Sequence, residues 1–376
     1  MSTVVVRFVG LTCVLLACAA CDRGASDDEI QAALATYSDI AEASYADAVL
    51  GARQLDDAIH ALLTQPSAAS LQAAREAWLE ARVPYVQSEV FRFYDGPIDA
   101  VEMFVNPWPI DETYVEPGIL ADTEHYPELT RELLLALNVK QGETSIATGY
   151  HVIEFLLWGR DVDPNGPGSR PYTDYVRGAD PLAERRGRYL ELVAELLVTQ
   201  LQGVARAWQR GPDSYRNVLA TTPPREALAL VWKGWGTLSG VELAGERLTV
   251  PYETKSQENE HSCFSDSTQR DLTGDAQGIS NVCTGEYRRS AGTSVRGLGM
   301  CELVGRYDRT LGKTLASEIA ASLEAVRAIP APFDRAVLGS DETPSRKRIA
   351  HAISALQQHT ETLARAASLM QLGAAR

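Results

Sequence analysis

The sequence lacks the patterns on which several classes of enzyme depend. It has no His-Glu-x-x-His pair for a zinc protease, no Gly-x-Ser-x-Gly turn around a nucleophilic serine, and no glycine-rich loop that would hold a phosphate or a dinucleotide. No stretch alternates polar and apolar residues for long enough to predict a convincing strand. These absences argue against a hydrolase and against a fold built on a sheet.

Positive charge is also scarce. The 376 residues contain 35 Lys and Arg against 50 Asp and Glu, which gives a formal charge of −15. Nucleic acids and anionic membrane surfaces are bound through clustered basic side chains, so neither is an expected partner. With 45% hydrophobic residues, the chain can bury a sizeable core in one large or two medium domains.

The apolar run at the N-terminus, residues 8–20, is too short to cross a membrane and ends in small residues. This pattern is typical of a secretory signal, so we predict a signal peptide over residues 1–21 and a mature protein in the periplasm or cell envelope. The residues around Cys21, or alternatively those around Cys18, resemble the cleavage box of a bacterial lipoprotein, in which the cysteine carries a lipid. Such an anchor is the one membrane contact that we expect, and simple secretion is the alternative.

Apolar residues recur at helical spacing through most of the mature chain. Capping residues, prolines and glycines delimit eight predicted helices, at 27–63, 67–93, 129–137, 144–158, 181–209, 223–248, 311–329 and 344–373. The polar segment 252–285 shows little periodicity and is predicted to be functional or disordered. The pattern predicts a mainly α protein made of two helical bundles, residues 27–210 and 211–376.

Two side chains that can bind a metal stand in the apolar run 149–159. His151 and Glu154 are three residues apart and therefore share one face of a helix. An imidazole beside a carboxylate suits iron, zinc or manganese, and the remaining ligands must come from other segments. The alternative is a structural pair bonded to each other inside a helical core.

Gly149-x-His151-x-x-Glu154, followed by Phe-Leu-Leu-Trp-Gly, resembles the signature of the imelysin family, which includes insulin-cleaving metallopeptidases and iron-regulated envelope proteins of bacteria. Three further blocks keep the family's order, at 88–99, 241–248 and 258–266. The resemblance implies a fold of two helical bundles and a bound metal ion, with iron as the first choice and zinc as the second.

The same blocks contain five more candidate metal ligands, which are Glu89, Glu242, Glu260, His261 and Asp266. Hard oxygen ligands combined with imidazole favour iron or manganese. The alternatives are a salt bridge to an arginine for Glu89 and a solvated helix face for Glu242. Three departures from the family pattern take away one carboxylate and one imidazole and weaken the metal prediction for this segment; they are Asn259, Ser267 and Gln269.

A short internal similarity predicts that the two bundles are related by duplication. When residues 149–155 are aligned with residues 237–243, Glu242 stands opposite Glu154 and Ser239 stands opposite His151. Two bundles of this kind would each contribute one acidic helix to a shared site.

The resemblance implies an envelope metal-binding protein that takes part in iron uptake, with His151 and Glu154 as core ligands. Such a protein would pass its ion to an envelope iron-transport component. The alternative is a metallopeptidase in which Glu154 or Glu260 acts as general base on a metal-bound water. A third hypothesis is a scaffold that has lost its metal.

Removal of the signal peptide leaves three cysteines, so at most one disulfide can form within the chain. Cys263 belongs to a block that the family resemblance supplies, whereas Cys283 and Cys301 stand where the family pattern has no cysteine. We therefore predict a bond between Cys283 and Cys301, with Cys263 as a free and mostly buried thiol. The competing pair is Cys263 with Cys283.

Overall fold

The computed structural model describes residues 24–140, 142–163 and 165–372, so the predicted signal peptide and the two candidate lipidation cysteines lie outside the described part. Fourteen α-helices are found there: α1 Asp27–Thr64, α2 Ala68–Gln87, α3 Glu102–Val105, α4 Arg131–Leu137, α5 Tyr150–Trp158, α6 Ala183–Trp208, α7 Tyr215–Thr221, α8 Pro224–Thr237, α9 Val250–Thr254, α10 Thr268–Thr284, α11 Met300–Tyr307, α12 Arg309–Arg327, α13 Phe333–Val337 and α14 Pro344–Leu369. The mainly α prediction is confirmed. None of these helices combines the length and the apolarity needed to cross a membrane.

The long helices pack in two groups. Helix α1 packs against both α2 and α6, and α10, α12 and α14 form the second group together with the π-helical segment Leu238–Thr249. Helix α10 also packs on α2, and one apolar core runs through both groups. The internal duplication is not shown by this packing and stays a prediction.

Local sequence explains where the first two helices begin. The Ser26 hydroxyl accepts from the Glu29 amide, and the Glu29 carboxylate accepts from the Ser26 amide, which forms a capping box at the start of α1. Ser67 and Ser70 form the equivalent exchange at the start of α2. Each exchange satisfies two amide groups that would otherwise lack a partner in the first turn.

The helix that carries His151 is shorter than predicted. It begins at Tyr150 rather than at residue 144, because Gly149 has φ of +97°, a left-handed value that a helix interior does not allow. A Cβ atom at this position would lie 2.8 Å from the carbonyl oxygen of Val105. The residues before it are held instead by Asn138, whose side-chain oxygen accepts from the amides of Ala147 and Thr148.

The segment 252–285 was predicted to be functional or disordered; its second half is the 17-residue helix α10, so the disordered alternative does not hold there. Polar residues occupy its buried face and hide the apolar period: Asp271, Asp275 and Asn281 are all buried. After α10, the chain forms a small antiparallel hairpin from β1 Glu286–Arg288 and β2 Ser294–Arg296. The sequence analysis did not predict this hairpin, because strands of three residues are too short to show an alternating pattern.

The predicted disulfide is confirmed. Cys283 and Cys301 are bonded with a Cα–Cα distance of 4.8 Å, and Cys263 is a free, half-buried thiol. The bond ties the end of α10 to the start of α11 across the hairpin.

Replacing both bonded cysteines by alanine is expected to lower the free energy of unfolding by about 3 kcal/mol, because the bond restricts the unfolded chain across an 18-residue separation. Urea unfolding of the oxidised protein measures this. The control is Cys263→Ala, which leaves the bond intact and should change the unfolding free energy far less. Equal stability of the wild-type protein with and without a reducing agent would contradict the prediction.

Candidate functional site

The two residues of the His-x-x-Glu motif are in contact on α5. His151 Nδ1 lies 2.8 Å from Glu154 Oε2, and both side chains are buried. The other carboxylate oxygen, Oε1, accepts from the amide of Ser265 at 2.9 Å and from its hydroxyl at 2.6 Å. Among the described residues, His151 Nε2 has no hydrogen-bond partner although it is buried. A nitrogen of this kind is available as a metal ligand, since the carboxylate fixes the ring through the opposite nitrogen.

A second imidazole faces the first one. The ring centroids of His151 and His261 are 4.8 Å apart, at an interplanar angle of 70°. His261 Nδ1 lies 2.9 Å from Asp271 Oδ2, and its Nε2 lies 3.4 Å from the amide nitrogen of Asn106. In both histidines a carboxylate holds Nδ1, but only His151 Nε2 is without a partner among the described residues; a ligand role for His261 Nε2 would require the Asn106 side chain to move away.

Arg82 on α2 supplies the positive charge of this centre. Its guanidinium group lies 2.5 Å from Asp271 Oδ2, donates to the side-chain oxygen of Asn106, and stands 5.1 Å from the centre of the Tyr150 ring. The Ser262 hydroxyl donates to the same carboxylate at 2.5 Å. Asp271 is thus shared by three donors, which keeps it ionised in a buried position.

The electrostatic state of the centre suits metal binding at neutral pH. Burial, reinforced by Arg247, lowers the pKa of His261 to about 3, and burial followed by Arg82 holds the pKa of His151 well below its usual range. Burial raises the pKa of Glu154 to about 8 against the opposing hydrogen bonds from Ser265. Both imidazoles are therefore neutral, whereas Glu154 carries a proton that a nearby cation would displace.

The sequence comparisons place these observations in a family. The model of the imelysin family matches residues 41–363, which is most of the chain. The chain belongs to the imelysin family. It is also 27% identical over 300 residues to "Iron-regulated protein A" from Synechococcus elongatus, with 77% of this chain and 73% of that protein covered.

Two solved structures share the fold of this imelysin. A protein from Parabacteroides distasonis, assigned as an iron-regulated protein A precursor, has a TM-score of 0.75 at 20% identity and covers 92% of this chain and 97% of its own. An imelysin-like protein from Psychrobacter arcticum has a TM-score of 0.62 at 15% identity, with 90% and 94% covered. At these identities the likeness concerns the fold alone.

Two of the predicted ligands in this imelysin lie in a neighbouring ion-pair network centred on Arg247. Its guanidinium group contacts Glu89 at 2.7 Å, Glu242 at 2.8 Å and Asp275 at 2.7 Å, and Glu89 also lies 2.5 Å from Arg92. Although burial alone would raise the pKa of Glu89, Arg92 and Arg247 hold it well below its usual range. The salt bridge that was the alternative for Glu89 is thus present, and a ligand role for Glu89 and Glu242 stays a prediction.

The predicted cluster in the 258–266 segment is divided. His261 points to the His151 centre, whereas Glu260 and Asp266 influence each other and two further acidic residues, Asp161 and Asp334. The seven candidate ligands therefore fall into three adjacent groups rather than one site.

A different group presents three ligand atoms within 4.8 Å of one another within the described ranges, namely His60, Glu191 and Glu195. His60 is exposed, and each glutamate already contacts an arginine: Glu191 faces Arg188 at 2.6 Å and Glu195 faces Arg131 at 2.5 Å. These basic partners compete with a cation, so we do not assign this surface group to the metal centre.

Sequence reasoning missed three residues of the centre, which are Arg82, Asn106 and Asp271. The sequence contains one signal for Arg82, because it is a charged residue one turn from Trp78 and from Tyr85 on the apolar face of α2. It contains no signal for Asn106 or Asp271, since nothing in the spacing of either residue links it to His261.

Proposed function

We propose that this imelysin is an iron-binding protein of the cell envelope that takes part in iron uptake. The observation that carries the proposal is the buried Nε2 of His151, which has no partner in the described chain and belongs to a ring 4.8 Å from a second carboxylate-held imidazole. The name of its cyanobacterial relative, an iron-regulated protein, supports iron over zinc. The N-terminal signal predicted from the sequence supports the envelope, with a lipid anchor at Cys21 or Cys18 as part of the proposal.

In this proposal, His151 and His261 bind the ion through Nε2, and Glu154 and Asp271 orient the two rings. Two neutral imidazoles suit Fe(II) and also Zn(II), and water or a released side chain would complete the coordination. Glu154 would be the nearest acid to balance the charge of the ion once its proton is lost. The ion is cargo here, to be handed to an envelope iron-transport component.

Binding of Fe(II) is expected to release one proton from Glu154 at neutral pH. The pKa of Glu154 is raised to about 8, so the group is protonated below that pH, and ionisation beside the cation is required for tight binding. Affinity should therefore rise about tenfold per pH unit up to pH of about 8 and level off above it.

Anaerobic calorimetric titration in two buffers of different ionisation enthalpy measures the proton release directly. Glu154→Gln should abolish both the release and the pH dependence. If the wild-type protein does not bind iron, the proposed function is refuted. If it binds iron without releasing a proton, the proposed role of Glu154 is refuted.

We expect no peptide hydrolysis above background. His151, Glu154 and Glu260 are all at most 1% exposed, so a peptide bond has no access to the candidate base or to the imidazoles. The second histidine of a zinc-protease helix is also missing from the sequence. Incubation with casein tests this, and chelator-sensitive cleavage that is lost in Glu154→Gln would instead favour the metallopeptidase.

A further inference from the structure

Four carboxylates from three separate segments gather beside the His151 centre. Asp161 lies in the loop after α5, Glu260 and Asp266 lie in the segment before α10, and Asp334 lies on α13. The side chain of Gln257 donates to Asp161, which ties the first two segments together. Lys255 donates to the carbonyl of Gly339 at 2.7 Å, which links the segment that contains Glu260 to the chain just after α13.

Two members of this acidic cluster are buried and have carboxylate oxygens without a hydrogen-bond partner in the described chain. Glu260 is 1% exposed and its Oε1 has no partner among the described residues. Asp334 is 3% exposed, and both of its carboxylate oxygens lack a partner in the same part of the chain. Leaving an ionised carboxylate in this condition costs several kcal/mol, so such groups are normally protonated, paired or bound to a cation.

Several other buried carboxylates of the protein are paired with arginine. Glu89, Asp271 and Asp275 each lie within 2.7 Å of a guanidinium group. None of the four carboxylates in the acidic cluster forms an ion pair with a basic side chain in the described ranges, and the groups that act most strongly on Glu260 and Asp266 are other members of the cluster. Exposed Arg335 is the basic residue that favours ionised Asp334. Arginine thus neutralises these three buried acids, whereas the acidic cluster is left with excess negative charge.

We propose that Asp161, Glu260, Asp266 and Asp334 bind a hard divalent cation of the calcium class, at a site distinct from the imidazole centre. The donors are carboxylate oxygens without sulfur or nitrogen, which is the ligand set of Ca²⁺. No three of their oxygens lie within 4.8 Å of one another, so the ion would contact some carboxylates directly and reach the others through water or after a side-chain rotation.

The bound ion would join three segments, one of which holds residues of the proposed iron site. Asp266 directly follows Ser265, whose amide and hydroxyl hold Glu154, and Glu260 directly precedes His261. The ion would therefore fix the segment that positions one imidazole and the partner of the other. This role does not require that iron binds, so the two proposals can fail separately.

Calorimetric titration of the chelator-treated protein with CaCl₂, together with thermal unfolding, tests the proposal. We expect saturable binding of one Ca²⁺ and a rise of several degrees in Tm. Asp334→Asn and Glu260→Gln should each weaken Ca²⁺ binding at least about tenfold. Because each change takes a negative charge from a repulsive group, neither should lower the Tm of the metal-free protein.

Two controls separate this site from a surface effect and from the iron site. Glu361→Gln removes an exposed acid on α14 and should leave Ca²⁺ binding unchanged. His151→Ala should also keep its Ca²⁺ response, whereas Asp334→Asn should still bind iron. The proposal is overturned if the wild-type protein shows neither binding heat nor a Tm shift, or if Asp334→Asn responds to Ca²⁺ as the wild type does. A Tm that depends on pH but not on Ca²⁺ would also overturn it, because protons would then neutralise the cluster.

Discussion

Arg247→Met is expected to lower the free energy of unfolding by about 3–5 kcal/mol, which is the usual cost of removing one partner of a buried ion pair. Arg247 is 1% exposed and contacts Glu89, Glu242 and Asp275 within 2.8 Å. Without it, Glu89 retains Arg92, but Asp275 is left buried with no basic partner among the described residues. Urea unfolding followed by circular dichroism measures the loss.

The loss should depend on pH in a defined direction. Because the folded protein holds the pKa of Glu89 below its usual range, the stabilisation by Arg247 is present above the ordinary glutamate pKa and disappears as the pH falls through the lowered value. The wild type and the variant should therefore converge in stability on acidification.

Arg306→Met is the matched control. Arg306 also contacts two carboxylates, Glu29 at 3.1 Å and Glu302 at 2.9 Å, but its side chain is 45% exposed. Exposed pairs contribute at most about 1 kcal/mol, so this variant should unfold almost as the wild type does. If both variants lose a comparable free energy of unfolding, the buried network does not stabilise the fold more than an exposed one, and the prediction is wrong.

His151→Ala is expected to reduce iron affinity at least about 100-fold, because it removes one of the two proposed imidazole ligands from a site with few substitutes. Glu154→Gln should cost less, about 10–100-fold, since in this structure Glu154 holds the ring rather than presenting a free ligand atom. Calorimetric titration with Fe(II) under anaerobic conditions distinguishes the two effects. Helical content should stay near the wild-type value in both variants.

His359→Ala provides a matched control for the loss of a buried histidine. His359 is fully buried, its Nδ1 lies 2.9 Å from the hydroxyl of Ser322, and its Nε2 also lacks a partner among the described residues. No carboxylate holds this ring, and no second imidazole faces it among the ring contacts of the described chain. Its loss should leave iron affinity unchanged, and an equal fall in both alanine variants would show that unfolding rather than ligation is being measured.

The local part of the candidate site was predictable because a helix sets the distance between neighbours in sequence. A spacing of three positions places His151 and Glu154 on one face of the helix, and the observed 2.8 Å contact follows from that spacing. The contact gives Glu154 the role of orienting the imidazole, which the spacing could not distinguish from direct ligation. The boundaries of α5 were less predictable, since they depend on Gly149 passing close to the carbonyl of Val105.

Local periodicity failed where polar residues face inwards. Helix α10 was not predicted because Asp271 and Asp275 occupy its buried face. Hydrophobic periodicity identifies a buried face by its apolar residues and therefore does not detect buried acids. Their burial is tolerated only because Arg82 and Arg247 approach from other helices. Arg82 is 189 residues away from Asp271, so no local signal could have paired them.

The sequence by itself determined that this protein is a mainly α member of the imelysin family with a His-x-x-Glu helix and a Cys283–Cys301 bond. The fold class and the shared face of His151 and Glu154 follow from short-range spacing, whereas the family and the cysteine pairing follow from the resemblance of several sequence blocks to the family pattern. Only the tertiary structure decided which buried polar side chains meet: His261 faces His151, Glu89 pairs with Arg247, and Asp271 pairs with Arg82. The physical reason is that charges in a buried interior interact strongly at a few ångströms, and those separations depend on how distant helices pack rather than on position along the chain.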